Sequence, residues 1–192
     1  MSQNRHDACR LPPLPQSSYS TAQTKAHEDF LATRKVGFSG PWHVLIRSPE
    51  LLTHAQRMGE YLRYRCTIAG RLSELAILLT AREWTQDFEF GVHKRHALEA
   101  GLAPQTIEDI RAGRSPKGLD EDGQIVADFV EELLRRKGVS ESTWGRALGR
   151  FGEQGCVDLC GIVGYYGLLA ACMNAARIPP PPGEEKLPRF PD

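Results

Sequence analysis

Residues 84–98, "WTQDFEFGVHKRHAL", together with Glu74 upstream, hold the best candidates for proton chemistry in this chain. An imidazole titrates near neutrality, so His93 can give or take a proton at physiological pH. Glu74 and Glu89 are carboxylates that can orient it or share that proton. On a helix, Gln86, Glu89, His93 and His96 fall at i, i+3, i+7 and i+10, which makes one polar stripe. The same stretch also alternates with a period of two, with Phe88, Phe90 and Val92 against Asp87, Glu89 and Gly91. Helical sequence on both sides decides for a helix, because a lone strand would have no partner. Asp87, Lys94 and Arg95 then take the wet side. Arg82 is a candidate clamp for a substrate carboxylate, or a surface charge. Gln86, Trp84 and Trp42 are candidates to line a pocket, and both tryptophans also read as core. A second reading makes Glu89, His93 and His96 a zinc or iron site.

These residues need a helical frame, and the flanking sequence predicts one. "SPELLTHAQRMGEYLRYR" offers Ser48 as N-cap and Pro49 at the first helical position, with Leu51, Ala55, Met58 and Leu62 at helical spacing. "RLSELAILLTAREW" is apolar around most of its circumference, which predicts a buried helix. Gly101 stops the helix that bears His93, and Pro104 starts a short new one. "DGQIVADFVEELLRRKG" sets Val126, Phe129, Val130 and Leu133 on one face, with Arg135, Arg136 and Lys137 in its last turn. Ser140 caps "ESTWGRALGRF", and a glycine-rich apolar helix closes the folded part. The expected fold is all-α, with about seven helices. Three regions are expected: an N-terminal arm at 1–39, a helical domain at 40–177 and a proline-rich tail at 178–192. Nine of the thirteen prolines lie in the two ends. Those ends read as extended, polyproline-like segments, either docked on a neighbouring subunit or disordered.

Composition narrows the partners. The 192 residues carry 24 basic and 24 acidic side chains, so nothing suggests a polyanion, and nucleic acid is not an expected partner. The first residues are polar and proline-rich, without the apolar core of a secretory signal, which favours the cytoplasm. The five cysteines contain no C-x-x-C pair and read as free thiols. Cys156 and Cys160, four apart, are either a redox pair or two small core residues. "LCGIVGYYGLLAACMNAA", 159–176, reaches the lower length limit of a spanning helix. Asp158 at its start and Asn174 within it favour a buried helix instead. Gly161, Gly164 and Gly167 give it a smooth strip against which another backbone can pack.

The stretch "GRLSELAILLTAREWTQDFEFGVHKRHALEAGL", 70–102, closely resembles the core motif of the carboxymuconolactone decarboxylase family, which includes the alkylhydroperoxidase D-like proteins. The matching features are Glu74, Trp84, Glu89, His93 and the closing "ALEAGL". A looser likeness runs from "GPWHVLIRSPEL" to "VGYYGLLAACMNA". The resemblance implies an alkylhydroperoxidase D-like helical domain, assembled as a homo-oligomeric trimer or hexamer. Peroxidase members carry two cysteines four and seven residues before the histidine. Here those positions are Glu89 and Gln86, and neither can supply the thiolate that peroxide reduction needs. The resemblance therefore implies the decarboxylase branch of aromatic catabolism: a lyase or isomerase without cofactor, moving a proton on a lactone or a carboxylated ring. Glu74, Glu89 and His93 would be its catalytic residues. The alternatives are a peroxiredoxin-type antioxidant and an oligomeric interaction protein that kept the fold and lost the chemistry.

Overall fold

The computed structural model describes residues 8–34, 36–68 and 70–189. Among them lie eight α-helices, a short 3₁₀ turn at Gln16–Ser18 and no strand. The all-α expectation holds.

The core is organised around α4 (Arg71–Glu83), in which every residue from Ser73 to Arg82 is buried. A helix apolar on all sides must be surrounded. α5 (Asp87–Glu99), α7 (Glu121–Arg136) and α8 (Glu141–Ala176) surround it. α6 (Pro104–Arg111) closes one end. α3 (Pro49–Tyr64) starts at Ser48 as expected, with Pro49 in its first turn, although the Ser48 hydroxyl makes no capping bond. α7 is capped by Asp120, whose side chain accepts from the Gly123 amide, and it ends at Lys137 in left-handed conformation.

The expected arm holds a helix of its own. α1 (Thr21–Thr33) opens with a reciprocal cap between Ser20 and Gln23 and packs on α3, burying Phe30 completely. α2 (Pro41–Leu45) follows, with Trp42 in the core cluster.

α8 runs on from the predicted "ESTWGRALGRF" helix but breaks at Gly152, whose φ of 70° and ψ of 178° suit only glycine. It is long and apolar enough to cross a membrane, yet 56% of its most apolar window is buried inside the protein. Asp158 within it accepts from the Tyr61 hydroxyl (2.9 Å) and from the Thr67 amide (2.9 Å) and hydroxyl (2.8 Å). Side chains, not a backbone, occupy the glycine strip: Leu62 lies over Gly161 and the Trp84 indole over Gly167. All five cysteines are free; Cys156 is in the core and Cys160 is exposed.

Both proline-rich ends lie on their own chain, apart from residues 1–7 and 190–192, which are outside the described residues. The Arg10 amide donates to the Ala176 carbonyl (2.8 Å), and Arg47 reaches the Pro12 carbonyl (2.6 Å). At the other end, Leu187 is buried, and its amide donates to Asp87 Oδ1 (2.8 Å). Arg189 donates to Asp87 Oδ2 (2.7 Å) and to the Thr85 carbonyl (3.0 Å). Pro181 and Glu184 press on Gly91, where a Cβ would come within 3.0 Å of both, and Lys94 pairs with Glu184 (3.2 Å). This corrects the expected wet face of α5: Asp87 is buried under the tail, and only Arg95 of the three is exposed.

Candidate functional site

The α4–α5 hairpin builds the site. Its turn is tight: the Gln86 amide bonds the Ala81 carbonyl (2.8 Å) across Thr85, which takes a left-handed φ of 46°. A β-branched residue rarely adopts that conformation. Arg82 Nη1 donates to Thr85 Oγ1 (3.1 Å) and helps to hold it there. Gln86 then caps α5, its side-chain oxygen accepting from the Glu89 amide (2.9 Å). Folding back in this way sets Glu74 of α4 against His93 of α5.

His93 Nδ1 and Glu74 Oε2 are 2.6 Å apart, a short charge-assisted hydrogen bond. On the other ring nitrogen, Nε2 lies 3.3 Å from Glu89 Oε1. Arg63 of α3 stands 3.5 Å from Glu74 Oε1. The edge of Tyr166 meets the imidazole, ring centres 5.0 Å apart. Burial disfavours a charged imidazole at His93, but the Glu74 and Glu89 carboxylates outweigh it and raise its pKa. Burial likewise pushes the Glu74 carboxyl up, while His93 and Arg63 pull it down further, so its pKa is lowered. The two shifts agree on an imidazolium–carboxylate pair.

Beside this pair is a cavity of about 390 Å³, lined among others by Glu89, His93, His96, Arg34, Arg63, Trp42 and the tyrosines 165 and 166. Glu89 Oε2 is buried with no hydrogen-bond partner among the described residues.

Of the residues singled out in the sequence, Glu74, Glu89 and His93 meet here, and Trp42 lines the cavity. Gln86, Arg82 and Trp84 lie elsewhere. Gln86 ties the hairpin turn to α8 through Asn174 (3.1 Å), whose own amide reaches the Trp84 carbonyl (2.8 Å). Arg82 borders a small hollow beside Ile110 and Arg114. Trp84 is half-exposed, with its indole on Gly167. His96, the third residue of the metal reading, lines the cavity with its ring 5.8 Å from that of His93 and pairs with Glu99 (3.4 Å). Among the described residues no group of three or more His, Cys, Asp or Glu side chains is placed to hold a metal ion. Arg34, Arg63, Tyr165 and Tyr166 also line the cavity, and no sequence motif marks them. Arg34 lies in the expected arm, and the tyrosines lie in an apolar run that reads as core.

No protein-family model matches the chain, and no curated protein matches it either.

Proposed function

We propose that the chain is a cofactor-free lyase or isomerase that moves a proton on a small carboxylated ring or lactone, as its resemblance to carboxymuconolactone decarboxylases implies. One observation carries the reading: a buried His93 lies between two carboxyl groups on the wall of a cavity of ligand size. Glu74 holds Nδ1 and keeps the ring charged. Glu89 has one oxygen near His93 Nε2 and the other without a partner. In this reading Glu89 Oε2 exchanges the proton with a ring carbon next to a carbonyl, and His93 stabilises the charge left behind. In a decarboxylation the bond to the carboxylate carbon breaks, its electron pair stays on the ring carbon, and a proton delivered by Glu89 and resupplied from water quenches it.

A thiol peroxidase is less well supported, because no cysteine is among the described residues lining the cavity. Assembly into a homo-oligomer belongs to the proposal. The half-exposed Trp84, Val157 and Leu168 give it apolar surface to bury.

The test is turnover of a panel of carboxylated lactones, with peroxide as control, by the wild type, Glu89→Gln and His93→Gln. Loss of turnover in both variants, with helical content and thermal midpoint retained, is expected. Undiminished turnover in both would overturn the reading.

A further inference from the structure

We propose that Arg34 and Tyr165 form the ligand-reading wall of this cavity, with Arg34 receiving a carboxylate and Tyr165 donating to a neighbouring oxygen. The inference rests on the proton-transfer reading and adds what the ligand must carry.

Arg34 Nε, Tyr165 Oη and Glu89 Oε2 are all buried without hydrogen-bond partners among the described residues. Their residues are 7%, 2% and 4% exposed, and all three line the same cavity. An unsatisfied buried polar atom is costly, and a ligand that supplies its partner recovers that cost. The cavity has other cations, but they are less suited: Arg63 faces Glu74, and Arg95 is exposed. Arg34 spends Nη1 on the Gln56 carbonyl (3.2 Å) and lies over the Trp42 ring, its guanidinium carbon 5.2 Å from the centroid. A guanidinium fixed on an aromatic face keeps its planar fork, the geometry that suits a carboxylate. Burial raises the Tyr165 pKa and holds its hydroxyl neutral. It is therefore a donor suited to a carbonyl or an enolate oxygen. Glu89 completes the set as acceptor. Gly59 makes room for the wall. A Cβ there would sit 2.1 Å from Tyr165 Oη and 3.0 Å from Arg34 Nη1.

The ligand that fits carries a carboxylate, a second oxygen and an acidic C–H, on a flat frame suited to the Trp42, Phe88 and Tyr166 walls. Benzoate and its neutral counterpart benzamide probe the carboxylate part. Each is titrated into the full chain while the Arg34 Nε–H and Trp42 indole N–H resonances are followed. Benzoate should bind about tenfold or more tighter than benzamide and move the Arg34 resonance, as expected for a hydrogen bond between charged groups. Arg34→Gln should reduce benzoate to the benzamide level, and Arg34→Lys should restore part of the difference. Equal binding of the two probes, or an unmoved Arg34 resonance, would overturn the proposal even if Arg34→Gln fails to fold. His93→Gln separates the two readings. If it loses turnover while benzoate binds without help from Arg34, only this proposal falls. If it turns over normally while Arg34 still selects benzoate, only the proton-transfer reading falls.

Discussion

At the scale of single residues, the Glu74–His93 pair makes stability depend on pH in a defined sense. The folded pKa of His93 is raised above the ordinary 6.5. Its share of stability is fully present below that value and is lost as pH rises through the raised one. The folded pKa of Glu74 is lowered from 4.5, so its share is present above that value and lost as pH falls through the lowered one. Chemical denaturation should therefore show a loss of stability on the alkaline side that Glu74→Gln flattens. The same variant should lower the His93 pKa in an NMR titration. Glu74→Ala leaves a buried imidazolium without its Nδ1 partner, with only Glu89 remaining, and should cost about 3–5 kcal/mol. An unchanged denaturation midpoint in Glu74→Ala would contradict the buried pair.

At the scale of elements, one close approach sets where α2 and α5 meet. Gly40 has φ 56° and ψ −119°, and a Cβ there would lie 2.2 Å from the Phe88 ring. Gly40→Ala should cost about 1–3 kcal/mol through backbone strain alone, and more through the collision. Its thermal midpoint should fall further than that of Gly164→Ala, where a Cβ meets open space. Most of this frame was legible. Apolar periodicity placed α4 and α7, and α3 as a helix, although Leu51 and Met58 of its expected stripe are exposed and Leu52 is buried in their place. The Pro49 and Pro104 starts are where they were expected, and Gly101 stops α5 with φ 88°. The Ser20–Gln23 cap was legible in principle as S-x-x-Q and announces α1 inside the arm. The Glu74–Glu89–His93 cluster was readable because its residues share one hairpin. The Arg34–Tyr165 side of the cavity was not, because the two residues are 131 positions apart and only the packing of α1, α3 and α8 brings them together. Arg82 misled for a related reason: its position in the motif says nothing about which face of a fully buried helix it occupies.

At the scale of the whole molecule, the last described residues hold the helix that bears the site. α5 turns Glu89 and His93 to the cavity and Asp87, Gly91 and Lys94 to the C-terminal segment. Asp87→Ala removes the acceptor for both Leu187 and Arg189 and leaves the tail with its Thr85, Lys94 and Arg111 contacts. It should lower the thermal midpoint and speed cleavage by trypsin at Lys186 and Arg189, whereas Arg95→Ala, on the exposed side, should change neither. The tail contacts also fix an order in time. The Leu187 amide bonds a residue 100 positions earlier. During synthesis at about 5–20 residues per second, α5 waits for about 5–20 seconds before its outer clamp emerges. The helix that bears the site is thus clamped only after Leu187 has emerged, and nascent chains halted before Leu187 should carry the hairpin but not a stable cavity.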